Sequence, residues 1–147
     1  MEQNNIWMRY LMLGIVINCL LLLSCGKIRH EPVKNAEFHF VNNTKHTITY
    51  NYGLDRFNLK PDNFLIFKEE QSATNGRGAE TYLTPFKVLA FDVTLTFDEL
   101  KCLLISPTGA FGPLNIKNYV AEKIDKNTYK FTYTFTEEDY NRATVCQ

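Results

Sequence analysis

A chain of 147 residues is the size of one domain, and its 16 basic and 16 acidic side chains cancel. That balance, with no basic stripe along the chain, argues against nucleic acid as a partner. Eleven Phe and eight Tyr supply enough large rings to build an aromatic core at this length.

In chain order, the first segment is Tyr10 to Ser24 (YLMLGIVINCLLLLS), apolar except for Asn18 and Ser24. As a helix it covers about 22 Å, short of the roughly 30 Å of a bilayer's hydrocarbon core. It therefore suits the apolar region of an export signal better than a membrane span, with Arg9 and the amino terminus as its charged flank. The segment ends in Leu22-Leu23-Ser24-Cys25, which resembles the lipobox of bacterial lipoproteins: an aliphatic residue, a small residue before the cleaved bond, then Cys. The resemblance implies cleavage before Cys25 and a thioether-linked diacylglycerol on its sulfur. It also implies three acyl chains, where a single chain holds a protein only weakly. Cys19 is a poorer candidate, because Asn18 precedes it. Removing residues 1–24 from 147 leaves 123, and takes away all three Met (Met1, Met8, Met12) and the only Trp (Trp7).

Gly26 to Ala36 is polar, contains Pro32 and has no periodicity, so residues 25–36 read as lipidated Cys plus flexible tether and residues 37–147 as a single domain. Alternation follows. Phe38 and Phe40 share one face, as do Ile48, Tyr50 and Tyr52, with Asn42-Asn43-Thr44-Lys45 as turn chemistry between them. A three-residue loop at Asn43 to Lys45 pairs Phe40 with Ile48 and predicts a first hairpin. Asn63 to Lys68 is continuously apolar at its centre and predicts a strand buried on both sides, while the long polar stretch Glu69 to Glu80 predicts a loop that is either functional or disordered, with disorder the expectation. Arg77, between Gly76 and Gly78, is a candidate contact residue there.

The strongest strand is Lys87 to Phe97, where Leu89, Phe91, Val93, Leu95 and Phe97 share a face. Asp98-Glu99 turns it into Leu100 to Ile105, a second hairpin. Ser106 to Asn115 is a loop that places Phe111 between two Gly-containing turns, either as a binding anchor or as a plug folded back on the core. A third hairpin runs Tyr119 to Ile124, Asp125-Lys126-Asn127, Thr128 to Phe135, with Tyr129, Phe131, Tyr133 and Phe135 inward. Thr136 then caps a helix over 137–143 whose first turn is acidic and whose Tyr140 packs on the sheet. The fold expected is an all-β antiparallel β-sandwich, immunoglobulin-like in the broad sense, with one short C-terminal helix; a small β-barrel is the alternative.

Export places Cys102 and Cys146 in a compartment that permits disulfides, so they are expected to bond. His30, His39 and His46 do not converge on one face, so no metal site is expected, and no cofactor. Ser72 and Ser106 lack a nucleophile elbow and a neighbouring base. Glu69-Glu70 and Glu137-Glu138-Asp139 are the acidic groups from which a carboxylate hydrolase would have to be built.

The lipobox, the tether, the opening Phe38-His39-Phe40-Val41-Asn42-Asn43-Thr44 and the closing Phe135-Thr136-Glu137-Glu138-Asp139-Tyr140 together resemble small uncharacterised lipoproteins of Bacteroides-type bacteria. The resemblance implies an outer-membrane setting and a sandwich-like domain, and it carries no activity to transfer. Surface display in that group goes with acidic residues after the Cys, whereas Gly26-Lys27-Ile28-Arg29 is basic, so the periplasmic and the surface face both stay open. The expectation is a lipid-anchored envelope protein acting as a noncatalytic binding module, with Arg77 and Phe111 on its contact loops and a protein or glycan as partner. The alternatives are a carboxylate-based hydrolase of envelope or dietary polymers and an accessory subunit of an envelope complex.

Overall fold

Period-two alternation becomes strand wherever the computed structural model describes the chain, at residues 31–52, 55–85 and 93–146. The strands are β1 (Val33–Asn42), β2 (Ile48–Tyr52), β3 (Asp55–Leu59), β4 (Phe64–Ser72), β5 (Val93–Phe97), β6 (Lys101–Ile105), β7 (Val120–Lys123), β8 (Thr128–Phe135) and β9 (Thr144–Val145). One helix, α1 (Glu137–Arg142), lies between β8 and β9. The strands form two sheets: sheet A in the order β4-β1-β8-β7, and sheet B in the order β3-β2-β5-β6-β9. This is an all-β sandwich of two open sheets, not a closed barrel.

The core lies between the sheets, where the inward residues of each strand meet. Phe38 of β1 stacks on Phe131 of β8 with ring centroids 5.1 Å apart, and Tyr119 meets Phe38 edge-on at 5.7 Å. Sheet B answers with Ile48, Leu95, Phe97, Leu103 and Ile105, all buried. Burying an aromatic side chain of this size stabilises a fold by about 2 to 3 kcal/mol.

The second and third hairpins form as expected. Asp98 and Glu99 take left-handed φ values of 51° and 60°, and the Leu100 N–H donates to the Phe97 carbonyl at 3.0 Å. Positive φ at both central residues gives a turn whose twist matches the flanking strands β5 and β6. β7 pairs antiparallel with β8, so that Tyr129, Phe131, Tyr133 and Phe135 turn inward. Leu89 and Phe91 of the expected Lys87 to Phe97 strand lie outside the described residues.

The first hairpin does not form. β1 pairs with β4 and β8, β2 pairs with β3 and β5, and the two face each other from different sheets. The buried side chain of Asn42 makes the crossing: its amide donates to the carbonyls of His46 at 2.8 Å and Leu59 at 2.9 Å. Its oxygen accepts from the Thr44 hydroxyl at 2.7 Å and the Thr44 N–H at 3.0 Å. Parity cannot separate a hairpin from such an arch, because both put Phe40 and Ile48 in one core.

Three further expectations are corrected. Sheet A is mixed, since β1 runs parallel to β8, Phe38 beside Phe131. β4 is an edge strand rather than a strand buried on both sides: Leu65 and Phe67 turn in, while Phe64 and Ile66 are 65% and 39% exposed. β1 starts at Val33, which pairs with Ser72, so the tether ends before residue 36 and the polar loop starts only at Ala73, past the end of β4. Both shifts have one origin, the pairing of Val33 to Ala36 with Ser72 to Glu69, and within it Lys34 is an inward-facing residue of β1 that is 1% exposed.

Candidate functional site

Of the residues singled out in the sequence, Cys25 and His30 lie outside the described residues. Cys102 and Cys146 are bonded, Sγ to Sγ at 2.00 Å, which ties the segment after β9 to β6.

Arg77 and Phe111 are not brought together. Arg77 is exposed in the loop after β4. That loop is ordered by Lys34, whose ammonium donates to the carbonyls of Gly76 at 3.2 Å and Thr81 at 2.8 Å and to the Thr81 hydroxyl at 2.8 Å. Phe111 is no free tip. It is half-buried against the core, and the Arg142 guanidinium lies over its ring, 5.1 Å from the centroid. Gly112 makes the fold-back possible: its φ is 88°, and a Cβ there would run into the Ile105 side chain. Its N–H donates to the Tyr133 hydroxyl at 3.2 Å. Between the sheets, a cavity of about 30 Å³ lined by Phe40, Ile48, Phe57, Leu65 and Phe67 is too small for a ligand.

Sequence reasoning missed a cluster around His46. Its Nδ1 lies 2.5 Å from an Asp98 carboxylate oxygen and its Nε2 3.8 Å from Glu137. The ring stacks flat on Tyr140 at 3.6 Å between centroids, and the Lys101 ammonium covers Tyr140 at 4.0 Å. The hydrogen bond from His46, helped by the Thr47 N–H, holds the Asp98 carboxyl below the usual range. The cluster joins the β1–β2 arch, the β5–β6 turn and α1. These segments are far apart in sequence, so no local pattern could have announced it.

The acidic groups are engaged in the fold. Asp139 accepts the Thr136 N–H at 3.0 Å at the start of α1, Glu138 pairs with Arg142, and Glu137 accepts the Lys45 N–H at 2.9 Å. Glu69 and Glu70, as neighbours on β4, turn to opposite faces of sheet A. Among the described residues no group of three or more His, Cys, Asp or Glu is arranged to hold a metal, and no helix is long and apolar enough to cross a membrane.

The outer face of sheet A is a different kind of surface. Register places Lys68, Glu37, Lys130 and Glu122 side by side on β4, β1, β8 and β7. Lys68 meets Glu37 at 2.6 Å and Lys130 meets Glu122 at 2.6 Å. These hydrogen bonds from lysine hold both carboxyls below the usual range. The next row, toward the C-terminal end of β1, runs Ile66, His39, Thr132, Val120, and beyond it Phe64 sits beside Val41. Phe64 and Ile66 at one edge and Val120, 74% exposed, at the other are large apolar side chains left in solvent. His39 Nε2 lies 3.6 Å from Glu37, so its nearest acid belongs to the charged row and not to a metal set.

Neither protein-family models, nor curated proteins, nor solved structures give a match to this chain. The surface has to be read from its own chemistry.

Proposed function

We propose that this chain is a lipid-anchored envelope protein, attached through Cys25, whose sandwich is a noncatalytic interaction module presenting the outer face of sheet A. One observation carries the interaction reading: Phe64, Ile66 and Val120 are exposed on a regular four-stranded sheet, next to an ordered row of charges. Neighbouring exposed apolar side chains rimmed by polar ones, as Phe64 and Ile66 are on β4, mark a contact surface. Arg77 remains a peripheral contact, while Phe111 serves the core. The anchoring reading rests on Leu22-Leu23-Ser24-Cys25, with the outer membrane as the setting that the resemblance implies. From Cys25 to Val33 the chain takes 33 − 25 = 8 steps, a covalent reach of at most about 28 Å. The domain is thus kept close to the lipid.

The test is metabolic labelling of the full chain with an alkyne fatty acid, followed by envelope fractionation. Wild type takes up label and stays with the membrane. Cys25→Ser loses both the label and the removal of residues 1–24. Equal labelling of the Ser variant would sink the anchor assignment.

A further inference from the structure

We infer that the outer face of sheet A binds a second copy of this chain, face to face, about a twofold axis that runs parallel to the strands between β1 and β8. This rests on the reading of that face as an interaction surface.

The charge row decides the partner. Across the sheet it reads plus, minus, plus, minus: Lys68, Glu37, Lys130, Glu122. A twofold axis along the strands reverses the order of strands in the second copy, so that β4 lies over β7 and β1 over β8. Lys68 then faces Glu122 and Glu37 faces Lys130, at all four positions, and the two internal ion pairs merge into a network spanning both copies. An axis running across the strands at the level of this row sets it on itself, with Lys68 over Lys68, and one displaced along the strands lays it on a neighbouring row that lacks the matching alternation. Two sheets of the same twist nest about either axis; the charges select one. The same operation lays Ile66 of one copy over Val120 of the other, twice, and so covers two of the exposed apolar side chains. Such a contact is isologous, the commonest kind in soluble homodimers.

The area sets the strength. Four strands at about 4.8 Å spacing, from the four residues of β7 to the ten of β1 and about 26 Å long on average, present roughly 500 Å² per copy, or about 1,000 Å² in total. That is the lower limit for a specific interface and below the usual 1,600 Å². The dimer is therefore weak in dilute solution, and confinement to one membrane, which raises effective concentration, favours it.

The test co-expresses two differently tagged full chains in cells, one carrying Ile66→Cys and the other Val120→Cys, with a short bismaleimide added. A mixed-tag dimer band is expected, and none from Ile66→Cys alone, since its two copies of residue 66 sit at opposite edges. Adding Glu122→Lys to both copies sets Lys68 against a lysine and should cut the band about tenfold. Adding Lys68→Glu as well turns the row into minus, minus, plus, plus. That arrangement breaks both internal pairs yet restores every contact between copies, so the band should return. A variant that merely damaged the fold would get worse. The inference is overturned if the single reversal has no effect, if the double reversal does not recover, or if the mixed band is absent. If Val120→Cys instead joins a protein of another mass, self-association fails while the interaction module stands; if nothing is captured, both fail.

Discussion

Lys34 shows how one side chain fixes a loop. It occupies an inward position on β1, where the alternation that runs through Ala36, Phe38 and Phe40 would call for an apolar residue. An ammonium taken out of water costs several kcal/mol unless other groups replace the water. Here three oxygens from Gly76 and Thr81 do so, and the Tyr82 ring lies under the nitrogen at 4.4 Å. Burial pulls the Lys34 pKa down, with Glu80 pushing it back up. The same contacts turn a polar stretch, read from sequence as disordered, into a fixed loop. Lys34→Met keeps the stem and removes the donors, leaving the Thr81 and Gly76 carbonyls to find other partners. The loss should be about 2 to 3 kcal/mol in urea unfolding. Trypsin offers a local readout, because Arg77 is exposed within the loop. Cleavage after Arg77 should accelerate at least tenfold in the variant; an unchanged rate at that bond would mean that Lys34 does not hold the loop.

Among the elements, those defined by local signals were legible. The β5–β6 turn, the β7–β8 hairpin and the Thr136 cap of α1 each depend on residues within a few positions of one another, and each forms where the sequence predicts it. Pairing between distant strands was not legible. Nothing near Phe38 states that its neighbours are Phe67 on one side and Phe131 on the other. The continuous apolar run of β4 fits both a buried strand and an edge strand that keeps apolar groups outside, and it is that outside group that makes the candidate interface. The loop after β6 had two readings, and the fold chooses the plug. With Phe111 packed on the core and under Arg142, Phe111→Ala should cost about 2 kcal/mol in urea unfolding, less than a fully buried Phe. The bismaleimide dimer band should not change. A variant of unchanged stability that lost a binding partner would restore the anchor reading.

At the scale of the molecule, the two sheets share a core, and the chain passes between them repeatedly, the last time after β8. The chain leaves sheet A at Phe135, runs through α1 and enters sheet B as β9, a strand of two residues that pairs only with Lys101 and Cys102 of β6. Two hydrogen-bonded residues cannot hold a chain end in place. The Cys102–Cys146 bond does, closing a loop with a sequence separation of 44. In the chain-entropy model such a loop is worth about 4 kcal/mol, through restriction of the unfolded chain. Replacing both cysteines by Ser should therefore lower stability by about 2 to 4 kcal/mol, measured by urea unfolding, and reduced wild type should match the double variant. The loss should not release α1 altogether, because Tyr140 still stacks on His46 and meets Phe97 edge-on at 5.6 Å. Hydrogen exchange separates these two contributions: without the disulfide, amides of 144–146 should lose protection while those of β8 keep it. Loss of protection in β8 as well would mean that the bond holds the sheets together and not only the tail.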